Sequence, residues 1–460
     1  MSTYNQMILD FLSETEPLIK RVNELPNETA VELYDMHEAA GRLATSNIKS
    51  LDTELRVEIC ARQDEVLEHI IDLMQSDSVI SDNSKPDGIY TPAVQGYRKW
   101  SNTELLKDKG LTGYMLAKAL NARPVMYFGT NISDYPYLSV LPDQEVLFHD
   151  FTNGQADAYY KHLNDNYTKM DVLILHGMYE QTTDFLETYR KLRPDGKVYC
   201  GLDMNRHWMS RINWASPRVR KFADQCDIIA TSSISLRDAL NGNPNVNFTC
   251  HWLPNGFFNS TETTITADPD LKKNIILTVG RIGTAQKNNA ELLIAFARVS
   301  NEIKDWTVRL VGTVDPEFQS FISEYFAQRP DLKSRVIFTG AITNKDELYR
   351  EYAEAKIFAL TSQLEGGTPN VYAEALFHGC MFVTSDIDAA DDITGFGALG
   401  LQYRLGDIDA LANTLVKLCS EANKQTIQNH IPVALDYATK YYDWHRNAKK
   451  LAYMLYKSKR

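Results

Sequence analysis

The sequence has no C-x-x-C pair, no long apolar run and no basic tract, and each absence removes a class of protein. Its six cysteines, Cys60, Cys200, Cys226, Cys250, Cys380 and Cys419, are scattered, which argues against a disulfide framework or a zinc site and fits a reducing compartment. No stretch reaches the ~18 apolar residues of a membrane span. The start "MSTYNQMILDFLSETEPLIK" has no basic leader ahead of an apolar core. A cytoplasmic location is expected. With a net charge of −12 and no unbroken run of basic residues, the chain is a poor candidate for nucleic-acid binding, and no nucleic-acid partner is expected. No short-period repeat or long low-complexity segment is present.

What is there is 460 residues, 44% of them hydrophobic, enough for two or three domains with their own cores. The acidity is local: residues 1–75 hold 15 Asp and Glu against 6 Lys and Arg. Residues 1–80 are expected to be a helical N-terminal extension, because "LDTELRVEICARQDEVLEHIIDLM" puts Leu55, Ile59, Val66, Ile70 and Leu73 on one stripe. Such an acidic add-on suits docking, on its own catalytic domain, between two subunits or on a basic partner. The Ser, Asp, Pro and Gly of 75–88 mark a linker.

From 88 to 257 short apolar runs ("RPVMYFG", "EVLFHD", "DVLILHG", "KVYCGLD", "CDIIATSS", "FTCHWLP") alternate with helix-length segments. That rhythm belongs to β-α units on a parallel sheet. It restarts over 265–435 with "NIILTVG", "WTVRLVG", "RVIFTG", "KIFALTS" and "MFVTSD". The expected fold is α/β, with two Rossmann-like doubly wound domains facing a cleft at their strand ends.

Several residues at those strand ends carry chemistry. After "LTVG", Gly280 is followed by Arg281 and then Lys287, ahead of a helix start. A planar fork, a point charge and free helix N–H groups together suit a diphosphate. After "KIFALTS" comes Glu365, then Gly366 and Gly367, whose backbone would approach an anion closely, and Glu374 about a turn into the next helix. Glu374, acceptor-only, suits a vicinal diol such as a ribose. Each of these taken singly also fits a solvated loop or surface charge. Two cations beside the diphosphate position make a divalent metal unnecessary. The window "NRHWMSRINWASPRVRK" sets Arg206, Arg211, Arg218, Arg220 and Lys221 among Trp208 and Trp214. It suits either an anionic membrane surface, as a peripheral contact at the inner face, or a solvated helix with core tryptophans.

These motifs resemble the retaining glycosyltransferases of family 4 (glycosyl transferases group 1), which have the GT-B fold. "VGRIGTAQKNNAELLIAF" looks like that family's donor-diphosphate loop, and "EGGTPNVYAEALFHGC" resembles its E-x7-E motif, with eight intervening residues in place of seven. The resemblance implies donor-binding roles for Gly280, Arg281, Lys287, Gly366, Gly367, Thr368 and Glu374, and catalytic roles for Glu365, Arg281, Lys287 and His176, the last at the end of "DVLILHG". It implies an acceptor-side glycine loop at Gly110 and Gly113 in "GLTGYMLAKAL", and a last helix, 436–460, that crosses back to the first domain. The implied reaction is metal-independent, retaining hexosyl transfer in glycan biosynthesis, with no cofactor. A UDP- or GDP-sugar is the donor, and the acceptor is a glycan, a lipid-linked sugar or a protein. An epimerase or phosphorylase on the same architecture, or a non-catalytic accessory subunit, remains open.

Overall fold

A computed structural model of the chain describes residues 86–92, 100–148, 155–261 and 265–457, with the isolated positions 13, 15 and 17. The helical reading of residues 1–80 therefore lies outside the described residues, apart from those three positions.

Two parallel sheets form the frame. The first contains β1 (Gly88–Pro92), β2 (Arg123–Phe128), β3 (Glu145–Phe148), β4 (Val172–His176), β5 (Lys197–Leu202), β6 (Ile228–Thr231) and β7 (Cys250–Trp252), in the order β3-β2-β1-β4-β5-β6-β7. The second contains β8 (Lys273–Val279), β9 (Thr307–Val311), β10 (Val336–Gly340), β11 (Ala355–Leu360), β12 (Met381–Ser385) and β13 (Gly400–Tyr403), in the order β10-β9-β8-β11-β12-β13. In both, the chain winds one way and then returns past its first strand, so a crevice opens beside β4 and beside β11. β4 is buried along its whole length, which is why "VLILH" is a continuous apolar run with no polar alternation.

Two strands depart from the sequence reading. β1, "GIYTP", lies at the centre of its sheet between β2 and β4, just past the expected linker and ahead of "RPVMYFG", the first run read as a strand. Its Gly and Pro hide it from a propensity argument, and its proline at the last position spares the ladder. β13 is a four-residue edge strand, too short to show a pattern.

The helices that place the site are α1 (Asp108–Leu120), α2 (Ile234–Asn241), α3 (Asn289–Val299), α4 (Lys345–Glu354), α5 (Asn370–Phe377), α6 (Lys424–Tyr441) and α7 (Trp444–Lys457). α6 packs on α5 in the second half of the molecule. The chain then crosses back between α6 and α7, where Phe257 N–H donates to Tyr442 O (2.6 Å) and Trp444 N–H to Phe257 O (3.3 Å). The outward and return crossings thus run side by side. Beyond them, Leu451, Ala452 and Leu455 of α7 join Leu116, Ala117 and Leu120 of α1 in one buried cluster, so the last helix belongs to the core of the first sheet.

Candidate active site

The loop after β8 begins at Gly280, whose φ of +151° suits glycine. It runs through Arg281 and Lys287 to Asn288, which takes a left-handed conformation (φ +47°) at the start of α3. The loop after β11 is stitched to it. Gln363 N–H donates to Gln286 O (2.8 Å), Gln286 Nε2 to Leu364 O (3.1 Å), and Thr361 Oγ1 to Lys287 O (3.1 Å). The result brings Lys287 Nζ to 2.5 Å from Glu365 Oε1, with both side chains largely buried. Ser362 Oγ also donates to Glu365 Oε1 (2.5 Å) and Gln286 Nε2 lies 3.4 Å from Oε2. Glu365, beside the glycine pair, is clamped, because its carboxylate would be costly to bury without these donors. Arg281 is exposed and reaches Gln286 Oε1 at 2.5 Å.

Glu374 sits in the middle of α5, beneath the start of α4. Its carboxylate accepts from Lys345 Nζ (2.6 Å) and from the Tyr352 hydroxyl (2.8 Å). Burial alone would lower the Lys345 pKa, but the Glu374 carboxylate and the Tyr349 and Tyr135 hydroxyls outweigh it and hold the pKa above its ordinary value. Lys345 is a site residue that sequence reasoning missed. It lies 29 positions from Glu374 and only the packing of α4 on α5 joins them. Lys345 and Glu374 line a narrow recess with Gly256, Phe258, Tyr349 and Asn370. Lys345 also borders a wider cavity between residues 133–140 and 343–346.

Within "GGT" the backbone takes a left-handed turn: Gly367 has φ +99°. A side chain there would meet Ser232 Oγ at 2.1 Å, and one at Gly366 would meet Asp203 Oδ1 at 2.0 Å. Thr368 is buried against the first domain. Its N–H donates to Ser232 Oγ (3.1 Å), its hydroxyl to Ser232 O (2.8 Å), and its carbonyl accepts from Asn255 Nδ2 (2.9 Å). These glycines therefore let the loop press against the facing domain.

On that facing side, His176 ends β4 and is buried with its Nε2 lacking a partner among the described residues. Burial, only partly opposed by Asp108, lowers its pKa to about 4, so the ring is neutral at pH 7. Gly110 and Gly113 do not form an open loop, as the resemblance implied, but lie within α1. A Cβ on Gly113 would stand 2.3 Å from Thr91 Oγ1, and one on Gly110 would meet the Leu105 backbone at 2.4 Å, so close packing accounts for both.

The basic window is mostly paired. Arg206 reaches Asp388 (2.9 Å), Arg218 reaches Glu180 (2.9 Å) and Asp184 (3.1 Å), and Lys221 reaches Glu187 (2.9 Å). Trp214 is buried, while Trp208 is 54% exposed beneath the Arg211 guanidinium. Among the described residues no helix is long and apolar enough to cross a membrane.

Comparison with known proteins bears on the fold. Residues 273–421 match the family model described as Glycosyl transferases group 1. No match is found among curated protein sequences. Among solved structures, sucrose-phosphate synthase from Thermosynechococcus elongatus superposes with a TM-score of 0.56 at 15% identity, covering 79% of this chain and 97% of that one. The apo lipopolysaccharide outer core galactosyltransferase WaaB gives 0.55 at 15%, covering 80% and 98%. A glycosyltransferase from Rickettsia africae gives 0.58 at 14%, covering 80% and 97%. At such identities these likenesses speak for the fold. The chain thus has a GT-B fold of two parallel Rossmann-like sheets, and residues 273–421 of its second half are similar to the glycosyl transferases group 1 family.

Proposed function

We propose that this protein is a retaining glycosyltransferase that moves a sugar from a nucleoside-diphosphate sugar to a glycan, lipid-linked or protein acceptor. The observation that carries the reading is the meeting of Lys287 and Glu365 at the ends of β8 and β11, beside the N-terminus of α3. Breaking a sugar–diphosphate bond leaves negative charge on phosphate and positive charge on the anomeric carbon. Lys287, Arg281 and the α3 N-terminus face the first, and Glu365 the second.

In the free protein the two charges hold each other. An arriving diphosphate draws Lys287 away, and the carboxylate thus released turns to the sugar. Glu374, braced by Lys345 and Tyr352, keeps lone pairs for the ribose. Residues 265–435 then form the donor-binding half and 88–257 the acceptor-side half, with His176 reaching across. Structures of Anabaena HepE, which share 14–16% identity with this chain, hold UDP, UDP with glucose, and UDP-glucose, which supports a uridine donor.

A second reading, a non-catalytic accessory subunit, draws on one observation: both carboxylates are already bonded to lysines. Nucleoside-diphosphate release from a panel of UDP- and GDP-sugars separates the two. Release above a Lys287→Ala control supports the enzyme; no release, and no thermal shift with any nucleotide, supports the subunit.

A further inference from the structure

Between the domains, Gly366 faces a small recess lined by Asp108, Thr112, His176, Gly201, Asp203 and Asn255, among others. Its volume is about 30 Å³, room for a hydroxyl or two and no more. Three features give it a chemical preference. The His176 Nε2 is buried and unpartnered among the described residues. Asp203 stands directly under the donor loop, its Oδ1 2.0 Å from where a Gly366 Cβ would be. Lys109, held over the Trp100 ring, lies 3.6 Å from Asp203 Oδ2, so the lysine stands by one carboxylate oxygen while the other, Oδ1, is turned to Gly366. A hydroxyl both donates and accepts. It therefore satisfies a carboxylate and a neutral imidazole together, whichever ring nitrogen carries the proton.

We propose that Asp203 is a specificity residue that accepts a hydrogen bond from one hydroxyl of the transferred sugar, with His176 completing the contact. The assignment rests on the glycosyl-transfer reading above. The sugar is favoured over the acceptor as the source of that hydroxyl because Gly366 adjoins Glu365, the carboxylate facing the anomeric carbon. Cleft burial, then the neighbouring Asp108, raise the Asp203 pKa to about 6. With 37% of the side chain still exposed, the carboxylate is available to a ligand above that pH.

The test compares the full-length wild type with Asp203→Asn in acceptor-free hydrolysis of whichever UDP- or GDP-sugar the wild type cleaves fastest, and of its 2-, 3-, 4- and 6-deoxy forms. A hydrogen bond to a charged group corresponds to a loss of about 10- to 100-fold in kcat/KM on the parent donor. One deoxy donor should show a similar loss with the wild type and little further loss with the variant, while affinity for the bare nucleoside diphosphate stays unchanged in both. Asp203→Glu should recover part of the activity. The proposal is overturned by no loss, by an equal further loss on every deoxy donor, by a fall in nucleotide affinity that tracks the fall in kcat/KM, or by a loss confined to transfer onto an acceptor. If the wild type cleaves no nucleotide sugar at all, the glycosyl-transfer reading fails first and takes this one with it.

Discussion

The two halves of the cleft are built on opposite electrostatic plans. In the second domain each acidic site residue has a lysine within 2.6 Å, Glu365 with Lys287 and Glu374 with Lys345. In the first, His176 is neutral with its Nε2 unpartnered among the described residues, and Asp203 has its lysine, Lys109, at the longer distance of 3.6 Å. The Lys345 pair holds Glu374 in place for the ribose, and the Lys287 pair keeps Glu365 in place until a diphosphate draws the lysine away. A buried polar atom without a partner, such as His176 Nε2, discriminates instead, because a ligand that fails to satisfy it leaves it buried and alone. The contrast separates a binding half from a selecting half.

Breaking the Lys287–Glu365 pair should have the largest effect. Lys287→Ala removes a fixed charge from the leaving phosphate and strands a buried carboxylate, so turnover should fall by ~10²-fold or more, with a lowered thermal midpoint as a second readout. Glu365→Gln keeps the shape and should also lower turnover by ~10²-fold, with donor affinity changing less. Arg281, exposed and bonded through its side chain to a glutamine side chain, should cost about tenfold when replaced by alanine, since surface charges interact weakly. Steady-state kinetics on the three variants checks this order.

Glu374→Gln sharpens the comparison differently. Its ligand contact is the same in ground and transition states, so the donor KM should rise about tenfold while kcat stays within a factor of two.

The smallest effect concerns the seam between the halves, where buried Asp392 accepts the Ile234 N–H at the start of α2 (3.0 Å). Burial raises its pKa from 3.8 to about 7. A raised pKa means the folded state holds a proton that the unfolded chain has released, so this stabilisation is complete below about pH 4 and is lost as pH rises through 7. Asp392→Asn keeps an acceptor but cannot ionise. It should match the wild type at pH 4 and exceed its thermal midpoint by about 2 °C at pH 8, measured by scanning calorimetry.

The sequence disclosed the two halves unequally, for a physical reason. Strands buried on both faces, such as "VLILH" and "KIFAL", announce themselves as apolar runs, and so do the loops that follow them. Arg281, Lys287, Glu365 and Glu374 could be picked out because each lies at a fixed short offset from such a strand. Their pairings could not, since Lys345 meets Glu374, and Lys287 meets Glu365, only through the stacking of separate β-α units. β1 went unseen because its place at the sheet centre is decided by its neighbours' hydrogen bonds, not by "GIYTP" itself. Gly110 and Gly113 suggested a loop, yet tight helix packing also selects glycine. Asp203 stands in the stretch "GLDMN", where nothing local distinguishes it. Only the approach of Gly366 from the other domain does.

The most direct test of the central claim is nucleoside-diphosphate release by the wild type, Lys287→Ala and Glu365→Gln across UDP- and GDP-sugars in the presence of EDTA. The account predicts metal-independent release by the wild type from at least one donor, reduced ~10²-fold or more in both variants. Equal release by all three proteins, or release abolished by the chelator, would contradict it.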